Sequence, residues 1–421
     1  MRIFGARPRQ AFLAIGIGVV AVLATGGGDA KAASIAWLAT SPMSSVRSYA
    51  AAAMLQSGDV LVVGGENTAV FQSSAEIYSP ATGAWRAAPS MSAARVGFTA
   101  TTLDSGKVLV AGGAPGVTQA ELYDPVSDSW SAAGSISAER GSQPVAVKLG
   151  NGKVLIAGGT TGGVYLATAD LYDPTSNSWS PAGSMSVARV DARATVLDDG
   201  RVLVTGGRGS SGATATADIY DPATNSWSAA APMSAKRFAH VAVPLAGGAL
   251  VLVSGGSNGT FGLSSAEVYS VVSNSWAPAA SMSTTRASSM AVPLSGSEAL
   301  VFGGGDSRAN SLASAEVYDA NTNSWSPAGN MSEGRDHAVA EVLDNGNVLV
   351  AGGSDNGAPV ATADVYGPVP SVGGVGRTAD PASVPGTHSS RRDAVVMLGA
   401  LAVLAGAVCL ILLRRRGSRG A

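Results

Sequence analysis

The sequence holds a single cysteine, Cys409, and it lies in an apolar run near the C-terminus. No disulfide, thiolate metal site or cysteine nucleophile can therefore be built from the rest of the chain, and export to an oxidising compartment leaves nothing that must stay reduced. Histidine is nearly as scarce, at three residues in 421. Charged residues make up only 13%, about half the ~25% of ordinary domains. The formal net charge of −2 supplies no field that would draw nucleic acid, which is not expected as a partner. No P-loop or His-Glu-x-x-His motif occurs, and no acid–base pair stands out. Neither a catalytic residue nor a metal nor a cofactor is expected. Glycine is abundant instead, with 54 residues, which suits tight bends between short β-strands.

Two terminal segments read as targeting rather than fold. Arg2, Arg7 and Arg9 precede an apolar run over 11–24 and then Ala30-Lys31-Ala32, the pattern of a secretory signal cleaved after Ala32. An uncleaved anchor is the competing reading, but the run is shorter than the ~20 residues of a span. Residues 394–413 carry no charge and are followed by Arg414, Arg415, Arg416 and Arg419. They are expected to form one transmembrane helix with a basic cytoplasmic tail over 414–421. Together the two ends place the intervening chain outside the cell membrane. Residues 368–393 are rich in Pro, Gly and Ser and read as a tether. They contain Val384-Pro385-Gly386-Thr387-His388. This motif with the span and arginines behind it resembles bacterial surface-sorting signals. Pro385 and Thr387 match that pattern, whereas Val384 and His388 depart from it. A retained stop-transfer anchor is the plainer alternative.

Between the ends the sequence repeats. All seven tryptophans, Trp37, Trp85, Trp130, Trp179, Trp227, Trp276 and Trp325, recur every 45 to 49 residues, a blade-sized period. An arginine follows ten residues after each, at Arg47, Arg95, Arg140, Arg189, Arg237, Arg286 and Arg335. A Gly pair then closes an aliphatic run, and acid-x-Tyr ends at Tyr78, Tyr123, Tyr172, Tyr220, Tyr269, Tyr318 and Tyr366. Gly pair, Tyr and following Trp together resemble the kelch repeat. The resemblance implies an all-β fold over residues 33–367, a seven-bladed kelch-type β-propeller of four-stranded antiparallel blades.

Each unit offers four strands. The first follows the arginine (96–102 in the second unit), the second ends at the Gly pair, the third carries acid and Tyr on one face, and the fourth carries Trp. Asn177, Asn225, Asn274 and Asn323 stand where the last turn needs positive φ, with Gly83 and Asp128 in the first two copies. The Gly pairs are expected to admit a neighbouring backbone or ring. The chain begins with a Trp segment and ends at a Tyr segment. The strand of Trp37 should therefore complete the blade that starts at Arg335.

With this parity, the loops after the Gly pairs share a face with the links between blades. They vary most among the copies, which makes that face the candidate binding face. Phe71, Tyr165 and Phe261 lie in these loops and either stack on a ligand or fold back onto their blades. Arg208 and Arg308 lie in the same loops. The seven repeat arginines have two readings. They form an anion-binding channel mouth, or they pair with the seven repeat acids, Glu76, Glu121, Asp170, Asp218, Glu267, Glu316 and Asp364. His240 and His337, shortly after a repeat arginine, read as packed or hydrogen-bonded strand residues. Galactose oxidase has a similar propeller, but its copper site needs a Cys-linked Tyr and ligands from another domain. The reading that results is a noncatalytic binding or adhesion module for a protein or polysaccharide. A carbohydrate-active enzyme and a structural envelope subunit are the alternatives.

Overall fold

The computed structural model describes residues 35–68, 70–113 and 116–369. The expected signal, span, basic tail, motif at 384–388 and nearly all of the tether lie outside them. No helix among the described residues is long and apolar enough to cross a membrane.

Each repeat folds as a four-stranded antiparallel blade, and in six of the seven the strands run in chain order, innermost to outermost. Blade 4, which starts at Arg189, is representative: Arg193–Val196, Val202–Thr205, Ala217–Asp221 and Ser226–Ala230. The second strand is the apolar run before the Gly pair. It is buried throughout, as in Val60–Val63 and Val202–Thr205, because both faces of the blade pack on neighbours. The innermost strands touch in cyclic order, blade 7 returning to blade 1. Their second residues are all alanine: Ala52, Ala100, Ala146, Ala194, Ala242, Ala291 and Ala340. Small side chains fit where seven wedges converge.

The outer half of each blade is held by its aromatic residues. Tyr172 and Trp179 face each other across the third and fourth strands, centroids 5.1 Å apart. The Tyr172 hydroxyl donates to Asn177 Oδ1 at 2.8 Å. Asn177 sits at φ 50°, and Asn225, Asn274 and Asn323 take the same conformation, as their turn position predicts. Six indoles donate at 2.7 Å to a carbonyl of the preceding unit. Only Trp37 Nε1 has no partner. The Gly pairs are indeed points of close approach. A Cβ on Gly65 (φ 89°) would lie 2.6 Å from the Ser48 carbonyl oxygen.

The ring closes as the phase of the repeat predicts. Ile35–Thr40 pairs antiparallel with Ala363–Pro368, and Trp37 lies opposite Tyr366. One expectation needs correction. The innermost strand of blade 2 is Thr99–Thr102, three residues later than expected, because Gly97 turns to φ 59° and joins the channel mouth instead.

Closure by six residues makes blade 7 the point on which cooperativity rests. Deleting residues 35–40 should lower the melting temperature and broaden the transition followed by circular dichroism. An unchanged melt would show that the ring does not need its closing strand.

Candidate binding site at the channel mouth

The repeat arginines are 1% exposed or less. Each pairs with the acid of its own blade: Arg47–Glu76 at 3.2 Å, Arg95–Glu121 at 3.0 Å, Arg140–Asp170 at 2.7 Å, Arg237–Glu267 at 3.0 Å, Arg286–Glu316 at 3.0 Å and Arg335–Asp364 at 2.7 Å, with Arg189 paired to Asp218 in the same way. Each also donates through Nη1 to the carbonyl of the first glycine of its pair, at 2.7 to 3.1 Å. Burial lowers the pKa of Arg47, Arg189, Arg237, Arg286 and Arg335, and the partner acids offset part of that shift. No ring of free cations forms at the mouth: these seven side chains are enclosed clamps.

The mouth is built by the second residue after each arginine. Tyr49, Gly97, Ser142, Asp191, Ala239, Ser288 and His337 all have φ between 49° and 59°. This left-handed kink turns successive backbones toward one another. Tyr49 N–H donates to His337 O at 3.1 Å, Gly97 to Tyr49 at 3.0 Å and Gln143 to Gly97 at 2.8 Å. On the other side, Ala239 donates to Asp191 at 2.9 Å, Ser288 to Ala239 at 2.8 Å and His337 to Ser288 at 3.3 Å. Six of seven links are made; between blades 3 and 4 no such bond exists among the described residues.

The cause is one extra residue. The Gly pair follows the arginine by 17 residues in blades 1, 2, 4, 6 and 7, but by 18 in blades 3 and 5. Blade 5 absorbs its surplus in the turn Ala246–Gly248. Blade 3 places it at the mouth, where Ser142 and Gln143 both have positive φ (52° and 54°). The Asp191 N–H and the Gln143 carbonyl are left without a backbone partner, an open requirement in a folded chain.

At this opening lies a cleft of about 470 Å³, lined among others by Tyr49, Glu66, Phe71, Gln143, Asp191 and Arg208. Below it the axial channel holds a cavity of about 290 Å³ that Tyr49, Gln143, Arg193, Ser289 and His337 help to line. The chemistry is one-sided. Blades 7, 1 and 4 bring His337, Tyr49 and Asp191 to the ring, whereas blades 5 and 6 bring Ala239 and Ser288.

Tyr49 stacks on His337 with centroids 3.9 Å apart, and His337 Nδ1 lies 2.8 Å from Asp336 Oδ1. Burial, and then the charges of Asp336, Glu66 and Asp191, push the Tyr49 hydroxyl up to about 12, so it stays a donor near neutral pH. Arg208 bonds Asp191 at 2.8 Å and lies 5.0 Å over the Phe238 ring. Glu139 accepts from the backbone of Gly116 and Gly162, which lowers its pKa and pins two variable loops.

Of the residues singled out in the sequence, the structure brings Phe71 and Arg208 to the cleft and keeps Phe71 44% exposed. Tyr165 lies in a separate small hairpin, Thr160–Thr161 with Val164–Tyr165. Phe261 is 67% exposed and Arg308 is exposed; neither lines the cleft. His240 is buried, with Nε2 2.9 Å from Thr205 Oγ1; burial and then the charges of Arg193, Arg237 and Arg189 hold it well below its ordinary pKa. Tyr49, Gln143, Asp191 and Arg193 escaped the sequence reading. The residue two places after each arginine differs in almost every copy, and that variation was the available signal.

Comparison with known proteins agrees with this architecture. The family described as Kelch motif matches residues 47–92, 145–186, 192–234, 245–283 and 286–332. No curated protein sequence matches the chain. Among solved structures, a fungal alcohol oxidase of the AA5 family in complex with copper is similar, with a TM-score of 0.66 at 18% identity over 80% of this chain and 77% of the oxidase chain. At that identity the likeness concerns the fold alone. Among the described residues no three His, Cys, Asp or Glu side chains gather closely enough to hold a metal ion.

Two tests follow from the charges. Arg237→Met leaves Glu267 buried without its partner and should cost about 3–5 kcal/mol of unfolding free energy in a urea titration; a loss under about 1 kcal/mol would make the clamp dispensable. Glu341 lies at another part of the channel, and burial pushes its carboxyl up to about 7. The folded state therefore holds this proton more tightly than the unfolded chain, and stability falls as pH rises between the ordinary value and about 7. Glu341→Gln should raise the melting temperature at pH 8 and leave it unchanged at pH 4. An equal effect at both values would show that the carboxyl does not titrate in this way.

Proposed function

Because the chain belongs to the kelch-motif family, we propose that it is a noncatalytic binding module. It holds a protein or polysaccharide over the variable-loop face and is displayed outside a cell membrane by residues 394–413. The observation that carries the reading is the broken mouth. Six links of a backbone ring are made, and the seventh opens onto a cleft that contains an exposed aromatic and unpartnered polar groups. A cleft of about 470 Å³ falls within the ~300–1,000 Å³ of small-ligand sites, and the loops around it extend the surface for a larger partner.

The state of the carboxylates supports binding over turnover. Of the three that line the cleft, Asp191 is paired with Arg208 and Glu139 is held by two backbone N–H groups. Only Glu66 has a carboxylate without a hydrogen-bond partner. Glycoside hydrolysis ordinarily needs two working carboxyl groups.

The test is capture of envelope proteins and arrayed glycans by the full chain, compared with Phe71→Ala and Phe261→Ala. A cleft-centred site predicts that Phe71→Ala weakens a saturable hit by about tenfold or more and that Phe261→Ala leaves it intact. The reverse pattern would move the site out to the loop tips, and turnover of a captured glycan would replace binding with catalysis.

A further inference from the structure

Arg193 departs from the repeat. It opens the innermost strand of blade 4, where the other blades place Ala51, Thr99, Val145, Val241, Met290 and Val339. Its guanidinium makes one hydrogen bond, from Nη1 to the Ala192 carbonyl at 3.0 Å, and takes part in no ion pair. Asp191 acts on it electrostatically but is bonded to Arg208. Every repeat arginine has its own acid, and Arg193 has none. The side chain is half-buried, and a departure of this kind from local consistency is expected where a ligand completes the site.

The surroundings of Arg193 are complementary to an anion. No carboxylate lines the axial cavity. The Gln143 amide, on the same cavity, makes no hydrogen bond among the described residues. Guanidinium and amide donors around one space match a carboxylate, which only accepts. The cavity, about 290 Å³, is at the small end of ligand sites and has room for a unit the size of one sugar acid.

We propose that the axial cavity binds a carboxylate, held by Arg193 together with Gln143. It is presented by a free organic acid or by the terminal acidic sugar of a glycan. The assignment rests on the binding-module reading and names the chemistry of its ligand.

The experiment is calorimetric titration of the full chain with D-glucuronate, a galacturonate trimer and glucose. Glucuronate should bind saturably and glucose should not. Arg193→Met should weaken glucuronate by about 10- to 100-fold, the loss of a charged hydrogen bond, and Arg193→Lys should restore only part, lacking the fork. Arg193→Met should melt no lower than the native chain, since it removes an unpaired charge. Gln143→Ala, which leaves the charge in place, should weaken binding as well. Trimer binding that glucuronate competes away identifies a glycan end; glucuronate binding alone identifies a free acid; both uphold the proposal. Absence of carboxylate binding to the native chain, or equal binding by Arg193→Met, overturns it. Macromolecular capture that needs Phe71 but is indifferent to Arg193 would overturn this assignment and leave the binding module standing.

Discussion

The propeller depends on one residue used twice per blade. Each repeat arginine sends its side chain into its own blade, to the glycine carbonyl and the acid, while its main-chain carbonyl accepts a bond from the second glycine of the preceding blade. Gly65 donates to Arg95 at 2.8 Å, Gly113 to Arg140 at 2.9 Å, and at the seam Gly353 donates to Arg47 at 2.7 Å. The acid also accepts the N–H of the serine three residues before the arginine, as Glu76 does from Ser44 at 2.7 Å. Linker, inner strand, third strand and neighbouring blade are thereby fixed relative to one another. The Gly pair is required because its N–H and C=O are both in use at positive φ, with another backbone in contact. A buried ion pair is weak evidence for net stability; its role here is to set the register of the blades.

Against this sevenfold regularity, function depends on departures. One surplus residue is harmless in blade 5, where a turn takes it up, and consequential in blade 3, where it parts the ring at Gln143 and Asp191. The same half of the mouth carries Tyr49, Asp191 and Arg208, and the channel beneath it carries Arg193. Seven equivalent openings would dilute a ligand among weak sites; one opening concentrates the polar groups at a single address.

This contrast explains what was legible in the sequence. Blade number, strand order, Asn turns and the partner strand of Trp37 were all readable, because each contact that builds them is written several times over. The acid for each arginine was visible as a matching count, though only geometry could choose pairing over a cationic mouth. Phe71 and Arg208 were found through loop variability. Tyr49, Asp191 and Gln143 were missed because they occupy positions where the copies disagree, so a search for agreement passes over them. Arg193 was hidden behind seven arginines that obey the pattern. The length difference of blade 3 was readable, but blade 5 shares it, and only the structure separates a longer turn from a broken ring.

The antiparallel seam has a topological consequence. Ile35 lies opposite Pro368, so the first and last strands of the ring run side by side at the rim of blade 7. The linear order of the blades is therefore arbitrary with respect to the fold. A short peptide joining those two ends, with the chain opened at any other outer turn, would describe the same closed object. Where the polypeptide starts is a choice of phase, and blade 7, the one blade assembled from both ends, makes that choice good.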